Sequence, residues 1–306
     1  MGGAVAVLGG LVTFTNCTFA TNLCLGGPGG LGGTGAGCNS GRGNGGDGGG
    51  GGLGGVARGG ALFRSGGQVG VSFSTFASNG ALGGMGGLGG AGGEGCSGAF
   101  DGASGVHGVE GLSFGGALFA SADLPLLRLA GSILAHNMDG LNCSGPIRDD
   151  RNNLSTDTSC DFGPPSPIDP RLGPFALQGG SVPTVALLAD SPAIDAVQAG
   201  AQRDSPCPAQ DARGVARGRT CDIGAFEFVP VAVSASAQGS GVRLEFLAAP
   251  GVSCGLESST DLRAWTEIDQ GQCDSLGRVV FVIQSQAGSR FFRLGILPQA
   301  VSAEKD

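Results

Sequence analysis

The chain has 306 residues, which is long enough for two domains, and 64 of them are glycine, against a usual share of about 7%. Charged residues make up only 14% of the chain, the net charge is −8, and Lys305 is the one lysine. An acidic chain with scattered arginines lacks the basic surface that nucleic acids and anionic membranes require. No run of residues reaches the ~18 apolar positions of a membrane-spanning helix, so we expect no transmembrane segment.

Three copies of one motif organise the first part of the chain. Each copy opens on Gly-Gly-Ala and closes on an Asn, and the copies cover 2–22, 59–79 and 115–137. The closing residues are Asn22, Asn79 and Asn137. A recurring Asn is typical of a corner in left-handed conformation, where its amide can also bond to an Asn stacked on it. We therefore predict stacked turns of chain with an Asn ladder at one corner.

Counting back from each Asn shows apolar residues alternating with small or polar ones, which is typical of half-buried strands. The expected inward residues are Val12, Phe14, Phe19, Val69, Val71, Phe76, Leu127, Leu129 and Leu134. Arg64 has the parity of Leu62, so we expect Arg64 to face solvent and Phe63 to face inward. One copy cannot bury its apolar face alone, so the copies must stack. Residues 1–137 are thus predicted to form an all-β, right-handed, single-stranded parallel β-helix.

Two glycine-rich insertions, 23–58 and 80–114, separate the copies. Glycine recurs in triplets from Gly26 to Gly55, and a weaker triplet pattern follows Gly80. A three-residue glycine period favours polyproline II segments packed side by side, whereas glycine-rich sequence as such favours a flexible linker, and both readings stay open. Neither insertion contains GxxxxGK[ST] between a strand and a helix, so we do not expect phosphate binding.

Ten cysteines in a chain with few charges indicate an oxidising, extracellular setting. Three pairs lie close in sequence: Cys143 with Cys160, Cys207 with Cys221, and Cys254 with Cys273. Stacked insertions would also bring Cys38 to Cys96. That pairing leaves Cys17 with Cys24, whereas the alternative joins Cys24 to Cys38. No CxxC or Cys/His spacing matches a zinc site, so we predict disulfides rather than metal ligands.

No secretory signal precedes the first copy, because Met1 leads directly into it. We therefore expect the chain to begin inside a longer array of coils. The cysteine content still places the protein outside the cell or at its surface.

Residues 138–228 differ from the repeats in being rich in acidic residues, arginine and proline. Four strings occur there in order: DPRLGP at 169–174, SPAIDA at 191–196, DARGVAR at 211–217 and CDIGAFE at 221–227. This segment resembles the C-terminal part of the choice-of-anchor Q proteins, bacterial surface or secreted proteins in which it follows parallel β-helix coils. The Gly-Gly-Ala and FxxN repeats are similar to those of chlamydial-type polymorphic outer membrane proteins. The resemblance implies a location and an architecture but no activity.

The open end of a β-helix exposes strand edges that must be covered, and we predict that 138–228 forms this cap. Its charged residues are expected to form a paired network that holds an irregular fold: Asp195, Asp211, Arg213, Arg217, Asp222 and Glu227. The alternative reading is a group of carboxylates for acid–base chemistry or for Ca²⁺. Asp149-Asp150 and the Asp157/Asp161 pair are further oxygen ligands of that kind, although no loop has EF-hand spacing. Beyond this Ca²⁺ alternative, no cofactor is predicted.

Residues 229–306 form a third region with six strand-like runs separated by turn signals. The runs are VAVSAS, VRLEFLA, CGLESS, AWTEI, RVVFVI and RFFRLGI. We predict a small β-sandwich with Trp265 and Phe292 in its core. Because the region shows no charged pocket signature, we expect it to act as a spacer or attachment module.

These features favour a non-enzymatic extracellular or cell-surface protein with a structural or adhesive role. The expected partner is an extracellular glycan or another surface protein. A polysaccharide lyase or hydrolase is the alternative, because many β-helices cleave acidic polysaccharides with Ca²⁺-binding carboxylates and a basic residue. Arg128 is the candidate for contact with an acidic sugar, with a solubilising charge on the sheet as its alternative role, and His136 is expected to be a solvent-facing turn residue. A glycan-binding module without turnover would need outward-facing aromatic side chains.

Overall fold

The computed structural model describes residues 1–39, 41–121, 127–163, 167–188, 190–198, 207–218, 220–248, 253–274, 278–284 and 290–296. Across these residues the protein is all-β, with parallel sheets in the first half and antiparallel sheets in the second. Lys305 lies outside the described residues.

The three sequence copies form stacked strands that pair in parallel. Their strands are β1 (Val5–Thr15), β2 (Thr18–Ala20), β3 (Leu23–Leu25), β4 (Ala57–Arg58), β5 (Leu62–Ser72), β6 (Thr75–Ala77), β7 (Gly80–Leu82), β8 (Ser113–Phe114), β9 (Leu118–Ala120), β10 (Leu127–Ala130) and β11 (Ile133–Ala135). β5 pairs with β1 on one side and with β9 and β10 on the other, and β6 lies between β2 and β11. β3 pairs with β7, and β4 with β8.

The apolar columns expected from the alternation form the core between these strands. Phe14 is in register with Val71, and Val71 is in register with Leu129. The Phe19 and Phe76 rings stack at 4.6 Å between centroids. Val12 and Phe14, on the first turn, are half-buried, and the remaining inward residues named above are buried.

The prediction for the opening end of the second copy is confirmed for Phe63, which is buried, and wrong for Arg64. Leu62 lies in the core, and Arg64, which has the same parity, is fully buried. Phe63 is buried on the opposite face, stacked on Phe119 at 5.4 Å. The parity argument failed because it assumed a solvated arginine, whereas Arg64 donates Nε–H and Nη2–H to the Gly67 carbonyl.

The left-handed conformation at the corner also falls one residue earlier than predicted. Thr21, Ser78 and His136 have φ values of 57°, 55° and 55°, and each immediately precedes a ladder Asn. In each copy the residue with positive φ turns the chain, and the side chain of the Asn that follows it joins the column of asparagines in the stacked turns.

The stacked turns continue beyond residue 138, the predicted start of the cap. β12 (Cys143–Ser144), β13 (Ile147–Asp149) and β14 (Leu154–Ser155) pair in parallel with β9, β10 and β11. The strands that follow are antiparallel hairpins, β15 (Leu172–Leu177) with β16 (Pro183–Leu187) and β17 (Val197–Gln198) with β18 (Thr220–Cys221).

The hairpin region packs along one side of the stack. Phe73 and Ile133 of the stacked turns share an apolar cluster with Leu187, Ile223 and Phe226. Part of the expected cap is therefore a further turn, and the rest covers the outer face of β6 and β11. A strand-forming stretch without the Gly-Gly-Ala and FxxN marks could not be recognised as a turn from its sequence.

All six runs predicted in the last region form strands. They are β19 (Val231–Gln238), β20 (Gly241–Leu247), β21 (Ser253–Ser259), β22 (Thr266–Gln272), β23 (Arg278–Gln284) and β24 (Phe291–Ile296). They make two antiparallel sheets, ordered β19-β20-β23 and β22-β21-β24, around a core that includes Leu244, Leu256 and Phe281. Phe292 packs partly buried against this core, whereas Trp265 lies outside it, with the Arg293 guanidinium 4.3 Å from its ring centroid.

Candidate functional site

The two glycine-rich insertions form a bundle of four extended segments. We name them segment I (residues 26–38), segment II (45–55), segment III (83–95) and segment IV (101–111). Along each segment the same backbone contact recurs at every third residue, as expected for the three-residue turn of polyproline II. The polyproline II reading of the glycine triplets therefore holds, and the flexible-linker reading does not.

Backbone hydrogen bonds between the segments hold the bundle together. Segment I donates to segment III from Gly29, Gly32 and Gly35, each at 2.8 Å. Segment II donates to segments I and IV, segment III donates to segment II, and segment IV donates to segment III. Segments II and III are thus central, with three neighbours each, while segments I and IV form the edges.

Glycine is required where two segments touch. A Cβ on Gly51 would lie 2.0 Å from the Gly87 carbonyl oxygen, and a Cβ on Gly87 would lie 1.9 Å from the Gly30 oxygen. Both distances are far below any real contact of a Cβ atom. In the central segments II and III the remaining third of the positions points outward and carries the side chains, and in the edge segments I and IV two of every three positions lie away from the neighbouring segments.

Those outward positions display apolar side chains to solvent. The exposed residues are Leu31, Leu53, Met85, Leu88, Phe100, Val106, Val109 and Leu112. Phe100 is 82% exposed and Val106 is 78% exposed. A disulfide between Cys38 and Cys96, with Cα atoms 5.4 Å apart, joins the last residue of segment I to the loop after segment III.

The corner asparagines form a continuous ladder through the stacked turns. Asn22 Nδ2 donates to Asn79 Oδ1 at 2.8 Å, and Asn79 Nδ2 donates to Asn137 Oδ1 at 2.9 Å. Asn137 Nδ2 then donates to Asn142 Oδ1 at 2.8 Å. Asn142 was not predicted, because it does not follow the FxxN pattern. The ladder is buried at Asn79 and Asn142, so it is part of the core.

The six charged residues predicted as a network lie together in the hairpin region. Arg213 forms an ion pair with Asp211, Nη2 to Oδ2 at 2.7 Å, and its guanidinium lies 3.6 Å from the Phe226 ring centroid. Asp211 also accepts backbone N–H bonds from Arg213, Val215 and Glu227. Burial acts to raise the pKa of Asp211, but these bonds and the Arg213 side chain outweigh it and hold the pKa below 3.8.

Arg217 is the centre of the second half of the network. Its buried guanidinium donates Nη1–H to Glu227 Oε2 at 2.7 Å and to the Asp222 carbonyl at 2.9 Å, and Nη2–H to the Gly224 carbonyl at 2.7 Å. It also lies over the Phe73 ring of the stacked turns, 5.3 Å from the centroid. Arg217 therefore ties the loop around residues 222–227 to the side of the stack.

Asp222 is the most strongly perturbed carboxyl of the network. Burial raises its pKa to about 8, with a further contribution from repulsion by Glu227. Asp222 accepts N–H bonds from Asp195 and Phe228, and the Asp195 carboxylate accepts the Thr220 hydroxyl at 2.8 Å. Every predicted carboxylate of the network is thus bonded to protein donors, as a structural role requires.

Three of the four acids considered for Ca²⁺, Asp149, Asp150 and Asp157, are also bonded within the protein. Asp150 pairs with Arg128 at 2.5 Å and Arg148 at 3.0 Å, and Asp157 accepts from Ser159 and the Asn142 backbone. Across the described residues, no group of three or more His, Cys, Asp or Glu side chains is placed to hold a metal ion.

The structure brings together most of the expected cysteine pairs. Disulfides join Cys38–Cys96, Cys143–Cys160 and Cys207–Cys221. The Cys254 and Cys273 sulfurs lie 3.3 Å apart, at hydrogen-bonding distance rather than disulfide length. Cys17 and Cys24 are not bonded, so neither the Cys17–Cys24 nor the Cys24–Cys38 pairing forms. Cys24 packs between Ala57 and Ala81 in a small core where the insertions leave the turns.

Comparison with protein-family models, with curated proteins and with solved structures returned no match. Within the described ranges, no helix has the length and apolar composition needed to cross a membrane.

Proposed function

We propose that this protein is a non-enzymatic, extracellular or cell-surface protein with a structural and adhesive role. In this proposal the stacked turns form a right-handed parallel β-helix, and the whole chain belongs with the choice-of-anchor Q proteins. The observation that carries the proposal is the glycine bundle. It is a backbone-bonded, disulfide-linked platform whose outward positions display rows of apolar side chains.

The construction of the bundle suits adhesion. Backbone hydrogen bonds join its neighbouring segments at regular intervals, so the exposed side chains stand on a framework that loses little conformational freedom when a partner binds. Exposed apolar surface of this extent is typical of interaction sites. The three disulfides are compatible with an extracellular location.

Glycan binding without turnover is a second candidate, and Phe100 favours it. This ring is 82% exposed at the loop between segments III and IV, where it can serve as a platform for a sugar ring. No comparable observation favours a lyase or hydrolase. Arg128 is engaged by Asp150, and His136 lies 3.8 Å from Asp169 in an exposed pair.

The test uses the oxidised protein with immobilised acidic and neutral polysaccharides and with surface proteins, with and without Ca²⁺. We expect retention on a partner and no new chain ends in the polysaccharides. Val106→Ser/Val109→Ser should abolish retention on an adhesive partner, and Phe100→Ser should do so for a glycan. Leu188→Ser, at an exposed position in the hairpin region, is the matched control. New chain ends would overturn the proposal.

A further inference from the structure

The outer face of the β22-β21-β24 sheet carries two aromatic side chains. Phe292 packs against the sandwich core, so its neighbours in β24, Phe291 and Arg293, point to the opposite face. The Arg293 guanidinium lies 4.3 Å from the centroid of the Trp265 ring, which places that ring on the same face. Phe291 is 41% exposed, and Trp265, just before β22, is partly exposed. The chain thus presents its only tryptophan on this face rather than in a core.

The two rings stand on either side of the end of β21. Ser259, the last residue of β21, is in register with Phe291, while the pairing of Ser258 with Thr266 places Trp265 next to Ser259 on the other side. The two aromatic positions are therefore two strand spacings apart, about 9.5 Å. Ser259 is buried between them, and its hydroxyl accepts the Leu262 N–H at 2.9 Å. A small residue engaged within the protein forms the floor between the two rings.

Arg293 adds unused hydrogen-bond donors to this face. Its Nε–H donates to the Glu257 carboxylate, and 51% of its side chain is exposed. Among the described residues, no hydrogen bond uses its Nη1 and Nη2 groups or the Trp265 indole N–H. Glu257 therefore orients the guanidinium, while its remaining N–H groups are left for an acceptor from outside the protein. A planar guanidinium with free N–H groups matches the geometry of a carboxylate.

This arrangement fits a sugar chain that carries carboxylates. Aromatic rings on a flat sheet face provide apolar platforms for sugar rings, and two platforms about 9.5 Å apart can serve one chain. The free guanidinium edge can then bind a carboxylate of that chain through two parallel hydrogen bonds. A nucleic acid fits less well, because its affinity depends on many phosphate contacts, and Glu257 and Glu267, in register beside Arg293, leave the face without a net positive charge.

We propose that the outer face of the β22-β21-β24 sheet binds an acidic polysaccharide, with sugar rings stacked on Trp265 and Phe291 and a uronic acid carboxylate bound by Arg293. The site is formed entirely by the C-terminal sandwich and shares no residue with the glycine bundle. It does not rest on the adhesive role proposed for that bundle. The sandwich is then a binding module rather than a spacer.

The fluorescence of Trp265 tests this proposal in the full oxidised chain, because the protein has no other tryptophan and no tyrosine. A hexasaccharide of galacturonic acid should change the fluorescence in a saturable way, and a hexasaccharide of glucose should not. Arg293→Met should weaken binding about 10-fold or more, because it removes the charged donors. Phe291→Ser should weaken it about 5-fold or more, because it removes one platform. Both variants change exposed positions, so their melting temperatures should stay close to that of the wild type.

Arg278→Met is the matched control. Arg278 is 56% exposed and pairs with Glu245 on the other sheet, so this variant removes the same charge from the same module and should bind as the wild type does. Phe100→Ser, in the glycine bundle, should also leave the fluorescence change intact, so the two sites can fail independently.

Three results would overturn the proposal. One is the lack of a saturable change up to about 5 mM galacturonate hexasaccharide. Another is equal binding of the two hexasaccharides, or equal losses in Arg293→Met and Arg278→Met. The third is tighter binding of a single-stranded oligonucleotide than of the galacturonate hexasaccharide, which would assign the rings to base stacking.

Discussion

Asn79 is held between the asparagines of the turns on either side of it. Its Nδ2 donates to Asn137 Oδ1 at 2.9 Å, while its Oδ1 accepts from Asn22 Nδ2 at 2.8 Å and from the Asn22 backbone N–H at 3.0 Å. A second donation from Nδ2 reaches the Phe19 carbonyl at 2.9 Å. One buried amide thus satisfies polar groups of three successive turns.

Replacement of Asn79 by alanine should strongly destabilise the stack. The change leaves the Phe19 carbonyl and both the backbone and side-chain N–H groups of Asn22 without this partner, whereas Asn137 Oδ1 keeps the backbone N–H of residue 79. Each buried group that loses its partner costs about 1–3 kcal/mol. We expect a loss of at least about 3 kcal/mol in the free energy of unfolding, measured by chemical denaturation. Asn39→Ala, at an exposed position, is the control and should change it by no more than about 0.5 kcal/mol. Equal effects of the two variants would contradict the ladder's role.

Arg217→Met tests the buried half of the charged network. The variant leaves Glu227 buried without its cation, which costs about 3–5 kcal/mol, whereas the double variant Arg217→Met/Glu227→Leu removes both charges and should recover much of the loss. Arg128→Ala breaks the exposed pair with Asp150 and should cost about 1 kcal/mol or less. Denaturant unfolding of the four proteins measures these differences. A double variant no more stable than Arg217→Met would contradict the pairing.

The sequence was informative where the pattern repeats. The counting rule placed Phe19, Phe76 and Leu134 in the core, and the matched lengths of the insertions brought Cys38 to Cys96. The sequence-based prediction failed at Arg64, because an arginine is usually exposed to solvent and this one is buried. The Gly67 carbonyl accepts two hydrogen bonds from the buried Arg64 guanidinium, and the spacing of apolar residues does not predict this contact.

The candidate sites were predictable to different degrees. The six charged residues of the network were named from their composition and from the family resemblance, but their partners were not, because the pairing of Arg217 with Glu227 depends on an irregular loop.

The buried carboxyl of Asp222 predicts a pH dependence of stability. Its pKa is raised to about 8 by burial and by Glu227, so the folded protein holds this proton more tightly than the unfolded chain, whose value is near 3.8. The stabilising contribution is therefore complete below pH 3.8 and is lost as the pH rises through about 8. The pKa of Asp211 is lowered in the folded protein, so its contribution to stability is present above about pH 3.8 and is lost only as the pH falls below that value.

We accordingly expect the melting temperature to fall as the pH is raised from about 5 to about 8.5, a window that brackets the titration of Asp222. Asp222→Asn cannot titrate and should flatten this slope, whatever its effect on the melting temperature itself. Asp150→Asn, at a surface pair, is the control and should keep the wild-type slope. A wild-type slope that survives in Asp222→Asn would assign the titration to another group.

Gly87 of segment III and Gly30 of segment I lie against each other, but only one of the two positions requires glycine. A Cβ on Gly87 would lie 1.9 Å from the Gly30 oxygen, so Gly87→Ala must push segment III away from segment I and should cost about 1–3 kcal/mol or more. A Cβ on Gly30 has nothing within 4 Å, so Gly30→Ala should be neutral or stabilise by up to about 1 kcal/mol, because alanine restricts the unfolded chain. Thermal unfolding gives the sign, and hydrogen exchange of the segment I and III amides shows whether the loss is confined to the bundle. Equal tolerance of alanine at both positions would mean that the segments do not pack as closely as their hydrogen bonds require, because backbone contact at this distance leaves no room for a methyl group.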